Sequence, residues 1–288
     1  MKRVLILFLL LFFLFTGMIG CGIEPKRVKI VNVPLTEESY AFAVAKENVE
    51  IKKAVNEYLT AIKESGELDL IINSFFTGKA DFAHVNPKSR DGCLVVATNA
   101  YFPPFEYYNG NKLTGIDIYL ANEVAKGLGK NLYVEDMDFS AVIPSVQKGN
   151  CDIGMAGLTV NDERKRMVDF SIEYYKSSQV LIVRESEVEF SQCINANQIE
   201  AILSTKRSSY KVGAQNGTSG YMYMRGDSGF GYKGFARIDV IAFTTGSLAI
   251  RDLSNGKIDA VILDYQPALA IINSINSNVK DKEWIEKQ

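Results

Sequence analysis

The residues able to hold a metal, a proton or a covalent intermediate exclude more chemistry than they promise. His84 is the only histidine in the 288-residue chain, which argues against a histidine-activated nucleophile and against a histidine metal cluster. The four cysteines include no CxxC spacing, so no structural zinc site is expected. Cys93 and Cys151 each begin an apolar, strand-like run, and either a bridge between neighbouring strands or two buried thiols fits them. Cys93, Cys151 and Cys193 together leave an odd count after Cys21. Gly226-Asp227-Ser228-Gly229 looks like the nucleophile loop of a trypsin-like protease. That chemistry needs a β-barrel and a buried His–Asp pair, and the stretch reads better as a solvated Gly-rich turn. The overlapping Arg225-Gly226-Asp227 takes the same reading against an adhesive one. Arg164, following Asp162 and Glu163, reads on local grounds alone as a surface ion pair at a helix start. No catalytic residue, metal ligand or cofactor is therefore expected.

Hydrophobic periodicity supplies the elements that would carry any site. From Leu94 onward short apolar runs alternate with helical segments, which predicts a parallel sheet with crossover helices. Strands are expected at 94–98, 132–135, 153–158, 211–214, 238–243 and 260–263, and helices at 117–128, 140–148, 247–253 and 266–275. The first of these helices aligns Ile118, Ala121, Val124, Ala125 and Leu128 and stops at Gly129, a C-cap residue. Nearer the N-terminus, 28–33 and 40–45 are strand-like. Residues 51–65 carry helical periodicity through Ile51, Val55, Tyr58, Leu59 and Ile62, and 68–76 form a second helix. Residues 77–92 are polar and broken, a surface linker. Gln179–Arg184, β-branched and free of Gly and Pro, would connect two halves. A βαβαβ succession collects strand C-termini along one edge, where ligands bind.

Lys2 and Arg3, an apolar run from Val4 to Phe15, and the small-residue stretch ending in Gly20-Cys21 have the order of an export signal. The run falls short of the roughly 20 residues a spanning helix needs. Removal of residues 1–20 leaves enough chain for two domains of about 130 residues each. A net charge of -2 with scattered Lys and Arg gives no basic stripe, so nucleic acid is not an expected partner.

Several ordered motifs carry a resemblance that covers nearly the whole mature chain. They run from Val95 to Glu106 (VVATNAYFPPFE) and Leu113 to Asp117, through Met137-Asp138-Phe139-Ser140, Cys151 to Thr159 (CDIGMAGLT) and Asp162-Glu163-Arg164. Val168 to Ser171, Tyr174-Tyr175, Gln215 to Gly220 (QNGTSG) and Gly256 to Tyr265 (GKIDAVILDY) complete them. Together they closely resemble the bacterial amino-acid-binding proteins of ABC importers, extracellular solute-binding protein family 3. Their order departs from the family's. Pro34 to Val44 and the helices after it look like the family's C-terminal segment placed first, and the chain stops near Gln288 where the family would enter that segment, as in a circular permutant. Exposed, neighbouring termini make such a permutation physically permissible, with 77–92 joining the old ends. Met18-Ile19-Gly20-Cys21 resembles a lipobox with Met in place of the usual Leu, which makes Cys21 the lipidation site.

The resemblance implies an α/β, two-lobe periplasmic-binding-protein fold of type II, each lobe a sheet flanked by helices, with a hinge of two strands near 35–43 and 179–184. Residues 1–20 would be the signal peptide and 21–36 the lipid-anchored N-terminus with a strand of lobe 2. Residues 37–180 would form lobe 1, including helices 48–76 and the linker 77–92, and 186–288 lobe 2. Arg164 would grip the carboxylate of an amino acid, helped by Thr159 and backbone amides near Thr218 and Ser219. Asp264 would take the ammonium, with the Gly157 carbonyl and Thr159 hydroxyl in support, and Ala156 would lie beside them. Phe102 and Phe139 would sandwich the carbon chain. Near the ligand's side chain the resemblance places Asn99, Tyr101, Gln215 and Leu263, all uncharged, which favours glutamine, then another neutral polar amino acid, then arginine between aromatic rings. The expected partners are a free amino acid, the permease of an ABC importer and, through the lipid, a membrane; the protein should be a monomer. Two other readings share the features: a dehydratase-like enzyme, for which Glu173 is the nearest acid, and an adhesive surface lipoprotein.

Overall fold

The computed structural model describes residues 24–285, with side chains up to Val279. The stretch expected to be a signal peptide, residues 1–20, and the expected lipidation site Cys21 lie outside the described residues. β1 (Val28–Val31), β2 (Glu38–Tyr40) and β3 (Ala43–Val44) precede α1 (Val49–Glu64) and α2 (Glu67–Phe76). An irregular stretch leads to β4 (Leu94–Thr98), the hairpin strands β5 (Tyr101–Phe102), β6 (Glu106–Asn109) and β7 (Lys112–Thr114), and α3 (Ile116–Gly127). β8 (Leu132–Asp136), α4 (Phe139–Gln147), β9 (Ile153–Gly154), α5 (Asp162–Met167), β10 (Asp169–Phe170) and β11 (Tyr175–Ser177) follow. The remainder is β12 (Gln179–Arg184), α6 (Ala196–Thr205), β13 (Lys211–Gln215), α7 (Ser219–Arg225), β14 (Asp239–Phe243), α8 (Gly246–Ser254), β15 (Ala260–Asp264) and α9 (Tyr265–Ile285).

These elements build two five-stranded sheets, ordered β10-β3-β9-β4-β8 and β1-β12-β15-β13-β14. The sheets are mixed where an all-parallel pattern was expected. β4 runs parallel to β8 and β9, and β13 to β14 and β15, but β3, β10, β1 and β12 join antiparallel. β3 and β12 reach their sheets straight from the connections between the lobes, with no helix before them, and only a crossover forces parallel pairing.

Of the two hinge strands expected near 35–43 and 179–184, the first contains β2 and the second differs. β2 pairs antiparallel with β11, Tyr40 opposite Tyr175 and Glu38 opposite Ser177, as a separate two-stranded ribbon between the sheets. Gln179–Arg184 is wholly inside the second sheet, so the chain crosses one strand earlier than its apolar pattern suggested. The strand expected at 153–158 ends at Gly154, because the chain bends through Gly157 (φ 54°) on its way to the cleft.

α1 buries Ile51, Val55, Leu59 and Ile62, the face its periodicity marked, and packs with α2 against α3 on the first sheet. β1 extends the second sheet beside β12. Residues 77–92 are more firmly held than a polar linker would be. Asn86 exchanges two hydrogen bonds with the backbone of Val134, at 2.7 and 2.8 Å, doing for β8 what another strand would do. Phe82 packs edge-on against Tyr119 at 5.2 Å. Cys93, Cys151 and Cys193 are free thiols. Burial pushes the Cys151 thiol up to about 11, which keeps it protonated and unreactive. Among the described residues no helix is long and apolar enough to cross a membrane.

Candidate functional site

Asn161 caps α5 by accepting the Arg164 backbone N–H at 2.9 Å. This start turns Arg164 inward. Its guanidinium donates to the Thr159 carbonyl at 2.7 Å and, across the cleft, to the Gly217 carbonyl at 3.1 Å. The local ion-pair alternative is not what forms: Lys165, not Arg164, pairs with Asp162. From the second lobe, Asp264 stands at the C-terminal end of β15 and accepts from the Tyr40 and Ser177 hydroxyls. Arg164 and Asp264 line one cavity between the sheets whose free volume is about 10 Å³, so the side chains are drawn in on the site and a ligand would have to spread them.

Asn99, Phe102, Phe139, Gly157, Thr159, Gln215, Thr218 and Ser219 line the same cavity. Ala156 does not; its methyl packs in the core with Val142 and Leu158. Tyr101 is 49% exposed, and neither it nor Leu263 reaches the cavity lining. Asn99 and Gln215 meet across the cleft, the Gln215 amide donating to Asn99 Oδ1 at 2.8 Å. Thr218 spends its side chain on α7, donating to the Gln215 carbonyl and accepting from Tyr221 N–H.

Two buried acids were missed. Glu38, on the hinge, accepts from the Thr159 hydroxyl at 2.6 Å and the Ser219 hydroxyl at 2.7 Å, one from each lobe. Because both hydroxyl protons go to Glu38, Thr159 and Ser219 offer lone pairs, not protons, to the cavity, and so suit an ammonium. Glu106 lines the cavity, fully buried. Burial first, then neighbouring Asp117, holds its carboxyl well above the usual range. Its oxygens have no donor, which a proton shared with Asp117 resolves: one carboxyl donates, the other accepts. Asp117 in turn accepts from Gly157 N–H at 3.0 Å and Tyr174 at 2.6 Å, and burial raises it to about 6. Glu106 stood in the quoted PPFE motif, but no local pattern signals that it is buried beside another acid.

With Glu106 protonated, the cavity wall presents one cation and one anion. Burial lowers Arg164 to about 10, with Glu38 and Asp264 opposing, so it stays charged at neutral pH. Burial, reinforced by Glu38, raises Asp264. Raised carboxyl values stabilise the fold when protonated, fully below the unfolded value and no longer once pH passes the folded one. Asp117 and Glu106 should therefore hold or raise the melting temperature of the ligand-free protein as pH falls from about 8 to about 5. If Asp264 takes a ligand ammonium, affinity should fall over the same window as its carboxyl gains a proton. Melting curves with and without ligand test this, and a ligand-induced shift that grows on acidification would refute the role of Asp264.

Two lobes joined by a two-stranded hinge, with opposite charges facing one small cavity, define a solute-binding protein of the type II periplasmic fold. The chain belongs to the bacterial extracellular solute-binding proteins, family 3, whose profile matches residues 94–262. It is 36% identical over 92 residues to the arginine-binding extracellular protein ArtP of Bacillus subtilis, a match spanning 32% of this chain and 36% of ArtP. The L-cystine-binding protein TcyJ of Escherichia coli is 26% identical over 201 residues, 69% of each chain. Among solved structures, an ancestral arginine-binding protein bound to glutamine aligns at 33% identity with a TM-score of 0.52, covering 65% of this chain and 76% of that one.

Proposed function

We propose that this protein captures a free L-amino acid with a neutral polar side chain, glutamine first, outside the cytoplasm and delivers it to the permease of an ABC importer. The observation that carries the reading is the pairing of Arg164 and Asp264 across one closed cavity, with the uncharged Asn99–Gln215 amide pair beside them. Arg164 would hold the carboxylate in a bidentate fork, and Asp264 the ammonium, with the Gly157 carbonyl and the Thr159 hydroxyl in support. Phe102 and Phe139 would flank the carbon chain. Arginine is the second reading, favoured by the relatives named for it and by Glu106, which would face a cationic side chain if it lost its proton. Calorimetric titration with the twenty amino acids separates the two: glutamine should bind most tightly, and tight binding of arginine with no response to glutamine would move the assignment to a cation.

An enzyme on this fold is disfavoured because Glu173 is exposed and bound to Lys176 at 2.6 Å, which keeps it ionised and unable to donate a proton. Adhesion through Arg225-Gly226-Asp227 is disfavoured because Asp227 Oδ1 accepts the N–H groups of Gly229 and Phe230, which turns the carboxylate into its own loop. We read the protein as a monomeric lipoprotein anchored through Cys21. We also read it as a circular permutant, with lobes divided as the motifs suggest; the packing of α1 and α2 on α3 and the pairing of β1 with β12 support this.

A further inference from the structure

Between α7 and β14 the second lobe sends out a tight loop, residues 226–234. Asp227 and Tyr232 exchange backbone hydrogen bonds at 2.9 and 2.8 Å, and Asp227 Oδ1 accepts from Gly229 and Phe230 N–H at 2.8 and 3.1 Å. At the base Gly226 and Gly234 lie in direct backbone contact, and Tyr232 packs edge-on against Tyr223 of α7 at 5.4 Å. The loop is thus rigid and fastened to lobe 2. Its tip nevertheless rests on α5 of lobe 1. A Cβ on Gly229 would lie 2.6 Å from Glu163 Oε2, and the Phe230 ring centroid is 5.5 Å from the Arg164 guanidinium carbon. Phe139 of lobe 1 approaches the same guanidinium at 5.3 Å.

We propose that Phe230 is a positioning residue of the ligand site: carried by a lobe 2 loop onto the lobe 1 arginine, it holds Arg164 in its gripping orientation and slows ligand release. The inference rests on the amino-acid-binding reading of the cleft. Phe139 travels with Arg164 in either position of the lobes, whereas Phe230 reaches Arg164 only when they are closed. A contact made in one state alone shifts the equilibrium toward that state. The ring also covers a cation that would otherwise regain water as the cleft breathes, and a cation–π contact is stronger when desolvated.

The test compares Phe230→Ala, Phe230→Leu and Phe230→Trp by stopped-flow release of bound L-glutamine, or of L-arginine if calorimetry selects it. Phe230→Ala should release ligand about two- to thirty-fold faster, with a smaller change in association rate. Phe230→Trp should keep the wild-type rate, and Phe230→Leu, apolar without a π face, should behave like Ala. Release from Phe230→Ala at the wild-type rate would overturn the proposal, as would Leu matching Trp. The Arg164 Nε–H resonance, followed in the ligand-bound and therefore closed protein, gives a reading independent of release rates. It should move in Phe230→Ala through loss of the ring current, and an unmoved resonance also overturns the contact. If neither amino acid binds, the amino-acid reading fails and the proposal with it; if one binds and Phe230→Ala changes neither the release rate nor the resonance, that reading stands and the proposal for Phe230 alone fails.

Discussion

Arg164→Ala should weaken amino-acid binding by roughly thirty- to several-thousand-fold, the 2 to 5 kcal/mol typical of stranding one member of a buried charge pair. Arg164 is 6% exposed, and its donors engage the Thr159 and Gly217 carbonyls, which hold the guanidinium where, on the proposed reading, it would meet the ligand carboxylate. The loss has two parts: the carboxylate loses its cation, and Asp264 and Glu38 remain buried without the charge that opposes them. Arg164→Lys should fall between wild type and Ala, because a point charge cannot reproduce the two-donor geometry. Calorimetry on ligand-stripped protein measures both. Affinity of Arg164→Ala within about threefold of wild type would remove Arg164 from the site.

Gly115→Ala should destabilise the fold by about 3 kcal/mol or more, in the tail of what single substitutions do. Gly115 has φ 122°, a conformation open to glycine, and an added Cβ would fall well inside contact with the Phe105 carbonyl and 2.9 Å from Glu106 N. The displaced backbone is the one that presents Glu106 to Asp117 and anchors the Phe102 loop, so ligand affinity should fall as well. Gly110→Ala is the control. Gly110 also has positive φ (62°), but nothing lies within 4 Å of its added Cβ, so only the conformational cost of about 1 kcal/mol applies. For a chain of this size 3 kcal/mol is a drop of about 6–12 °C in melting temperature. Indistinguishable melts for the two variants would refute the steric account.

The α/β character was legible because hydrophobic periodicity is local. The buried face of α1, the strand at 94–98 and the helix before Gly129 need no knowledge of distant residues. The hairpin of β5, β6 and β7 was missed because its strands are two to four residues long with exposed aromatics, too short for alternation to register. The expected all-parallel sheets failed for a related reason, since the direction of a strand depends on how the chain reached it, and the hinge leaves no periodic mark.

By itself the sequence determined the two α/β halves, the supply of a single histidine and, through ordered motifs, the family, while the free state of Cys93 and Cys151 needed the structure. Tertiary structure alone decided the direction of Arg164, whose neighbours on the chain argue for a surface ion pair, and the existence of a hinge acid at Glu38. Glu38 collects hydroxyls 121 and 181 residues away, and Phe230 reaches an arginine on the other lobe. Periodicity reports which face of an element is apolar. Whether a charge is buried, and what compensates it, depends on desolvation by segments far apart in sequence, and that is fixed only when both lobes close around the same cavity.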